Sequence, residues 1–284
     1  VPTPAVTALH RTVGSSLVGL GSGTCIASTF LGAPELGILP ESNILFQVHE
    51  LAIYDPLVPS GYFSSWQHLT GTSGGSSYYY LFCPSVTSIT AARRFGVGYV
   101  LEFHGQPGPP GSVFVRAIGG EELYRIPGAA SATLVPAPGG TALPPDDALG
   151  TPVTVHQPDP ATWQLVTDAD SPQVLRLRIT DVPGWHATID GRPLPLEQFS
   201  GVMLQARVPP GRHHVVLRYW PTAFTAGLVL AAVSAAGLAA AVVIERVRRR
   251  KDKRAESTPP SVGPPGPPAA SVTGSGFFTG AGSG

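Results

Sequence analysis

Apolar and polar residues alternate through much of residues 151–220. Gln173–Thr180 reads Gln-Val-Leu-Arg-Leu-Arg-Ile-Thr, with every second side chain apolar from Leu175 onward. That is the period of a strand with one buried face. Residues 184–189 run into Asp190-Gly191, a hairpin turn signal because Gly takes positive φ without strain. Residues 194–197 are the expected returning strand. Residues 202–208 alternate again, Pro209-Pro210-Gly211 marks a turn, and residues 213–219 alternate back. With residues 153–156 and 163–166 this makes about six or seven short strands, and a β-sandwich is the natural closure. Trp185 sits on a strand between turn signals and is expected to anchor the core. A fully buried ring there would make its loss to Ala cost ~3–5 kcal/mol.

Residues 1–150 are more mixed. Strands are expected at 43–48, 78–82 and 97–103, a helix within 85–95 starting near Ser88 or Thr90, and a hairpin of 113–118 with 122–126 over Gly119-Gly120. Residues 134–150 are a Pro/Gly-rich link. The fold class expected is α+β: a mixed α/β region over 1–140, an antiparallel β-sandwich over 151–221, and one C-terminal transmembrane helix at 223–244.

The pattern changes completely at residues 224–244, where no side chain is charged. At 1.5 Å per residue this stretch matches a hydrocarbon core of about 30 Å. Tyr219, Trp220 and Phe224 lie where an interfacial aromatic belt is expected, and Glu245-Arg246-Val247-Arg248-Arg249-Arg250-Lys251 follows at once. Basic flanks stay on the cytoplasmic side. The expectation is therefore a membrane protein with residues 1–220 extracytoplasmic and the C-terminus cytoplasmic. Gly227, Ala231, Ala235 and Ala239 recur four apart, a small-residue ridge that lets other transmembrane helices approach. Beyond Ala255, the Pro/Gly/Ser-rich composition predicts a disordered tail. The first residue is Val1 and no secretory signal is readable, so the chain is expected to be the C-terminal fragment of a longer protein whose upstream part delivers it.

Charge sharpens this reading. The formal net charge is zero, but residues 1–220 hold 11 Arg against 15 Asp and Glu, while 245–256 hold 7 Arg and Lys against 3 acids. An acidic body argues against nucleic-acid binding. Two cysteines, Cys25 and Cys83, allow either a disulfide outside the cytoplasm or two buried thiols. A bridge would close nearly sixty residues and contribute ~4 kcal/mol in the chain-entropy picture.

The residues show no metal-ligand spacing and no cofactor motif. His213-His214 are adjacent, so on a strand they face opposite sides. Gly71-Thr72-Ser73-Gly74-Gly75 matches the letters of a nucleophile elbow, but it lies in a Gly/Ser/Thr run, without the strand before and helix after that the motif needs. Aromatics gather at Tyr54, Tyr62, Phe63, Trp66 and Tyr78-Tyr79-Tyr80. Core packing is the preferred reading. In the competing one, Tyr54 and Trp66 stack on a glycan while Asp55 accepts its hydroxyls.

The stretch from Leu175 through Pro183-Gly184-Trp185 to Asp190-Gly191-Arg192-Pro193 resembles the strand, Pro-Gly-Trp, strand, Asp-Gly signature near the end of YfhO-family bacterial membrane proteins. The likeness continues through Val208-Pro-Pro-Gly-Arg-His-His-Val-Val-Leu-Arg-Tyr-Trp-Pro221, which in that family leads into a last transmembrane helix. Upstream, Ile53-Tyr54-Asp55-Pro56, Phe95-Gly96-Val97-Gly98-Tyr99-Val100-Leu101 and Glu122-Leu123-Tyr124-Arg125-Ile126-Pro127 are similar to further family segments. Ile53 replaces the usual Gly there, and Ile126 the usual Asn. The resemblance implies a polytopic, GT-C-like glycosyltransferase that takes sugar from a polyprenyl-phosphate carrier for cell-envelope glycan modification. Its catalytic acid would lie in an early loop absent here, so no catalytic residue is carried over. The expected partners are the lipid bilayer, other transmembrane helices of the same protein, and a glycan or the polyprenyl-phosphate sugar. Two other readings remain: a single-pass surface protein whose sandwich binds glycan or protein, and a hydrolase resting only on Ser73.

Overall fold

The computed structural model describes residues 4–21, 48–54, 58–72, 74, 81–139, 141–256 and 263. They divide into two compact units, Val1–Phe224 and Thr225–Gly284.

In the first unit, β1 (Leu17–Leu20) runs parallel to β2 (His49–Glu50) and β5 (Val97–Phe103). The sheet continues with β7 (Glu121–Arg125) and β6 (Val113–Ile118), both antiparallel, in the order β2-β1-β5-β7-β6. Helix α1 (Pro4–Val13) buries Leu9 and Val13 against Val18, Leu20, Leu101 and Leu123 of this sheet. The hairpin over Gly119-Gly120 forms as the pattern predicts, with Gly119 at φ 62°. The strand expected at 43–48 lies almost wholly outside the described residues. Of the one at 78–82, Leu81–Phe82 forms β4, paired with β3 (Ile53–Tyr54).

Helix α2 (Ser60–Thr70) and α3 (Ile89–Phe95) cover the opposite side of β5. Ser88 caps α3, its hydroxyl accepting from Thr90 N–H, and Gly96 ends it in the left-handed conformation. Trp66, Phe82, Val97 and Phe95 share one buried cluster with Phe199, Val202 and Met203. The α/β part and the sandwich are therefore one body with a common core.

The sandwich has two five-stranded sheets. One is ordered β15-β16-β12-β8-β9 and the other β10-β11-β17-β13-β14. The first contains β8 (Ala132–Pro136), β9 (Thr151–Pro152), β12 (Gln173–Thr180), β15 (Glu197–Phe199) and β16 (Met203–Val208). The second contains β10 (Val155–Asp159), β11 (Thr162–Ala169), β13 (Trp185–Ile189), β14 (Arg192–Leu194) and β17 (Gly211–Tyr219). Leu134, Leu165, Leu175, Leu177, Leu204, Val215 and Leu217 fill the space between them. The sandwich thus takes β8 from upstream of residue 151, because Ala132–Pro136 pairs with β12. Pro209-Pro210-Gly211 carries the chain across to the other sheet, since β16 and β17 pair with different strands.

The alternation of β12 is misleading on one face. Arg176 is fully buried and Arg178 half-buried, because α3 and residues 144–150 cover the sheet's second face. Arg176 donates to the carbonyls of Pro144, Pro145, Asp146 and Ala148 at 2.7–3.2 Å. Arg178 donates to the Arg93 and Arg94 carbonyls at the end of α3 and to Thr133 Oγ1 (2.6 Å). Both guanidinium groups lie over the Phe199 ring, at 4.5 and 5.6 Å from its centroid.

The second unit is dominated by helix α4 (Thr222–Glu256), which begins at the end of the first. It has a segment of mean hydropathy 2.4 with none of it buried in protein. It is long and apolar enough to cross a membrane. Ser234 returns its hydroxyl proton to the Leu230 carbonyl (2.8 Å), as a hydroxyl in an apolar surrounding must.

The β13–β14 hairpin is fastened to β17 by Asp190, itself at φ 48°. One carboxylate oxygen accepts from His214 N–H (2.9 Å) and the other meets His213 Nδ1 at 2.7 Å. His213 Nε2 faces the Pro210 carbonyl at 3.0 Å. Two acceptors on one ring favour the imidazolium. The Asp190 hydrogen bond therefore raises the His213 pKa above 6.5, and the same bond lowers that of Asp190 below 3.8. The pair's stabilisation is complete between those ordinary values. It is lost as pH rises through the folded His213 pKa, or falls through that of Asp190. The His213 ring resonances of the wild-type chain should titrate above pH 6.5, and in Asp190→Asn, which keeps the turn geometry, the midpoint should fall back toward 6.5. An unshifted wild-type midpoint contradicts this reading.

Candidate functional site at the end of the last strand

The Pro183-Gly184-Trp185 turn and the Tyr219-Trp220-Pro221 segment, far apart in sequence, close on each other. β13 pairs with β17 so that Trp185 lies opposite Tyr219, with ring centroids 5.2 Å apart. Trp220 N–H donates to the Gly184 carbonyl (2.8 Å), and Tyr219 N–H donates to Ala161 (2.9 Å). Gly184 adopts φ 125°, and a Cβ on it would sit 3.0 Å from Pro221 Cα and 3.1 Å from the Tyr219 ring. Only Gly fits both the conformation and the space. Three residues further on, Phe224 N–H donates to the Pro221 carbonyl (3.0 Å) and the Phe224 ring stacks edge-on against Trp220 at 5.1 Å. The last turn before the apolar run is thus clasped to the sandwich by backbone bonds and by the ring pairs Trp185–Tyr219 and Trp220–Phe224. Trp185 is half-buried at the rim rather than a deep core anchor.

Sequence reasoning named these residues as a signature but gave Gly184 no task. A Gly between Pro and Trp was the available signal; its close neighbour, Pro221, is 37 positions away and invisible without the strand pairing.

The residues expected at a glycan are dispersed in role. Trp66 is fully buried in the core, its ring packed on Phe82 and Phe95 and its Nε1 donating to Thr72 Oγ1 (3.2 Å). It offers no face to a sugar. Tyr54 belongs to β3. Asp55, Ser73 and Cys25 lie outside the described residues. Helix α2, not a strand, precedes the Gly71–Gly75 run, which is the reverse of the order a nucleophile elbow requires. Cys83 is not a free thiol.

Two further features are electrostatic or concave. Glu50, at the end of β2, is buried with neither carboxylate oxygen hydrogen-bonded, and burial and then nearby Glu121 push its pKa well above the ordinary carboxylate range. A groove of about 790 Å³ runs beside the 151–154 crossover along the outer face of β11 and β17, lined by Gln164, Val166, Asp168, His214 and Val216 among others. Its lining contains no Trp, Tyr or Phe ring on which a sugar could stack. Among the described residues no group of three His, Cys, Asp or Glu is placed to hold a metal ion.

Replacing Gly184 by Ala should destabilise the chain in detergent by about 1–3 kcal/mol, the usual cost of forcing a side chain into a strained conformation. Trp185→Ala should cost less than a fully buried ring would. Gly191→Ala, where φ is 76° but no atom lies within 4 Å of the new Cβ, serves as the control for the backbone cost alone. If Gly184→Ala unfolds with wild type, the clasp is not structural.

No curated protein and no solved structure matches the chain. Residues 151–231 match the family described as "Bacterial membrane protein YfhO". The matched segment opens in β9, takes in the whole of the 183–185/219–221 clasp and ends inside the apolar helix. The second sheet, the clasp and the start of a helix long and apolar enough to cross a membrane are thus the part of this chain that is similar to the YfhO family of bacterial membrane proteins.

Proposed function

We propose that the chain is the extracytoplasmic C-terminal domain and last membrane helix of a polytopic, GT-C-like glycosyltransferase. The enzyme would modify cell-envelope glycans with sugar from a polyprenyl-phosphate donor, and its catalytic acid would lie outside residues 1–284. The observation that carries this reading is the family match over 151–231, which runs from the sandwich through the clasp into an apolar helix. The basic run after that helix supports an outside position for the body, because Arg and Lys are retained in the cytoplasm. A Cys25–Cys83 bridge fits the same compartment. The small residues at 227, 231, 235 and 239 support packing against neighbouring helices.

The body's role in this proposal is to brace the membrane part. The clasp supports bracing over acceptor binding, since it fixes how the chain leaves the sandwich, while the groove lacks a Trp, Tyr or Phe ring. Two measurements test the proposal. A Cys placed at Gln164 should react with a membrane-impermeant maleimide in intact spheroplasts, and one placed at Lys253 should react only after lysis; the opposite pattern overturns the orientation. Deleting the full gene should remove one sugar substituent from the envelope glycans. The intact gene should restore it, and a version carrying Gly184→Ala should restore it incompletely. Unchanged glycans in the deletion strain would favour a surface protein whose sandwich binds a partner.

A further inference from the structure

Four arginines converge between α3 and the outer face of the β15-β16-β12-β8-β9 sheet: Arg93 and Arg94 from the helix, Arg176 and Arg178 from β12. Around them lies a small cavity of about 40 Å³, lined by the side chains of Thr90, Arg93, Arg94, Thr133 and Arg178 and by residues 146–150. We infer that this cavity binds a phosphate-class oxyanion, held by Arg93, Arg94 and Arg178 with the Thr90 and Thr133 hydroxyls.

The argument begins with charge. Two carboxylates, Asp146 and Asp147, line the cavity against three arginines, with Arg176 behind them. Asp146 is half-exposed and reaches Arg94 only at 3.8 Å. Among the described residues Arg178 has no carboxylate partner: its acceptors are the Arg93, Arg94 and Arg176 carbonyls and Thr133 Oγ1, all neutral. Burial, and then the charge of Arg176, lower its pKa to about 9. A buried cation facing further cations is costly unless an anion offsets it. The cluster thus keeps a surplus of positive charge where solvent reaches poorly.

Hydrogen-bonding capacity points the same way. Arg94 Nε is buried without a hydrogen-bond partner. Arg93 spends its Nε on the Pro127 carbonyl (2.7 Å), which leaves its terminal nitrogens beside Gly128 at the cavity. Arg178 uses Nε, Nη1 and one bond from Nη2, so an Nη2 proton remains. Guanidinium forks and hydroxyls matched to oxygen acceptors are the chemistry of phosphate recognition. The space suits one tetrahedral group and no larger head. The walls are rigid: Gly96, at φ 76°, lets the Arg178 stem lie 2.7 Å from where a Cβ would be, and a Cβ at Gly150 would meet the Leu134 carbonyl at 2.7 Å.

Such a group could arrive as free phosphate or as the monoester head of a lipid, and two probes separate these sources. The full chain in neutral detergent would be melted with inorganic phosphate, with soluble dihexanoyl phosphatidic acid, and with sodium chloride at matched ionic strength. A rise on the order of 3 °C is expected at saturating phosphate and not with chloride. It should be largely lost in Arg93→Gln and Arg94→Gln and kept in Arg116→Gln, an exposed β6 residue. Thr90→Val, at an exposed helix position, gives a second reading if an arginine variant fails to fold. A shift with inorganic phosphate supports a free ion, and one with phosphatidic acid alone supports a lipid head. No shift with either probe, an equal shift with chloride, or a shift that survives in Arg93→Gln and Thr90→Val overturns the site. This test reads binding by the isolated chain, so its failure would leave the glycosyltransferase reading to its own experiment.

Discussion

The burial of Arg176 and Arg178 is the constraint on which the arrangement of the body depends. A guanidinium removed from water needs partners for its donors; here all but Arg176 Nε find them, nearly always on backbone carbonyls. Those carbonyls belong to two segments that have no regular pairing of their own to fix them, the end of α3 and residues 144–150. The two arginines therefore position a seven-residue helix, too short to be stable alone, and a Pro-rich link that would otherwise be mobile in composition. The Phe199 ring beneath both charges joins this polar layer to the apolar cluster of Trp66, Phe82 and Phe95.

Because that cluster is shared, the α/β part and the sandwich behave as one unit rather than two domains on a hinge. Helix α2 adds polar fasteners: Tyr62 Oη lies 2.8 Å from Thr180 Oγ1, and Ser65 donates to the Ser200 carbonyl at 2.5 Å. Gly61 allows the approach, since a Cβ there would stand 3.0 Å from the Gly201 carbonyl. The same body holds the clasped final strand, where Trp220 N–H donates to the Gly184 carbonyl.

Much of this was written locally in the sequence. The strict alternation of β12, the Asp190-Gly191 hairpin, the Gly119-Gly120 hairpin, the Ser88 cap and the uncharged run before Arg246 each arise from neighbours within a few residues. Period, turn chemistry and transfer of apolar surface out of water decide such features. They fixed the β-rich class, the strands of 151–220 and the membrane helix.

What local pattern could not decide was what covers each face and which distant segments meet. The alternation in Leu-Arg-Leu-Arg-Ile reads as a strand with charged side chains in solvent, yet tertiary packing laid a helix and a loop over them. The same limit hid β8, whose pairing with β12 is set by a partner about forty residues away, and the contact of Gly184 with Pro221. The aromatic composition favoured core over ligand for Trp66, but only the closing of Phe82 and Phe95 around it made the choice. Periodicity reports which side of an element is apolar; burial of the other side depends on long-range contacts, and those exist only once the chain has folded.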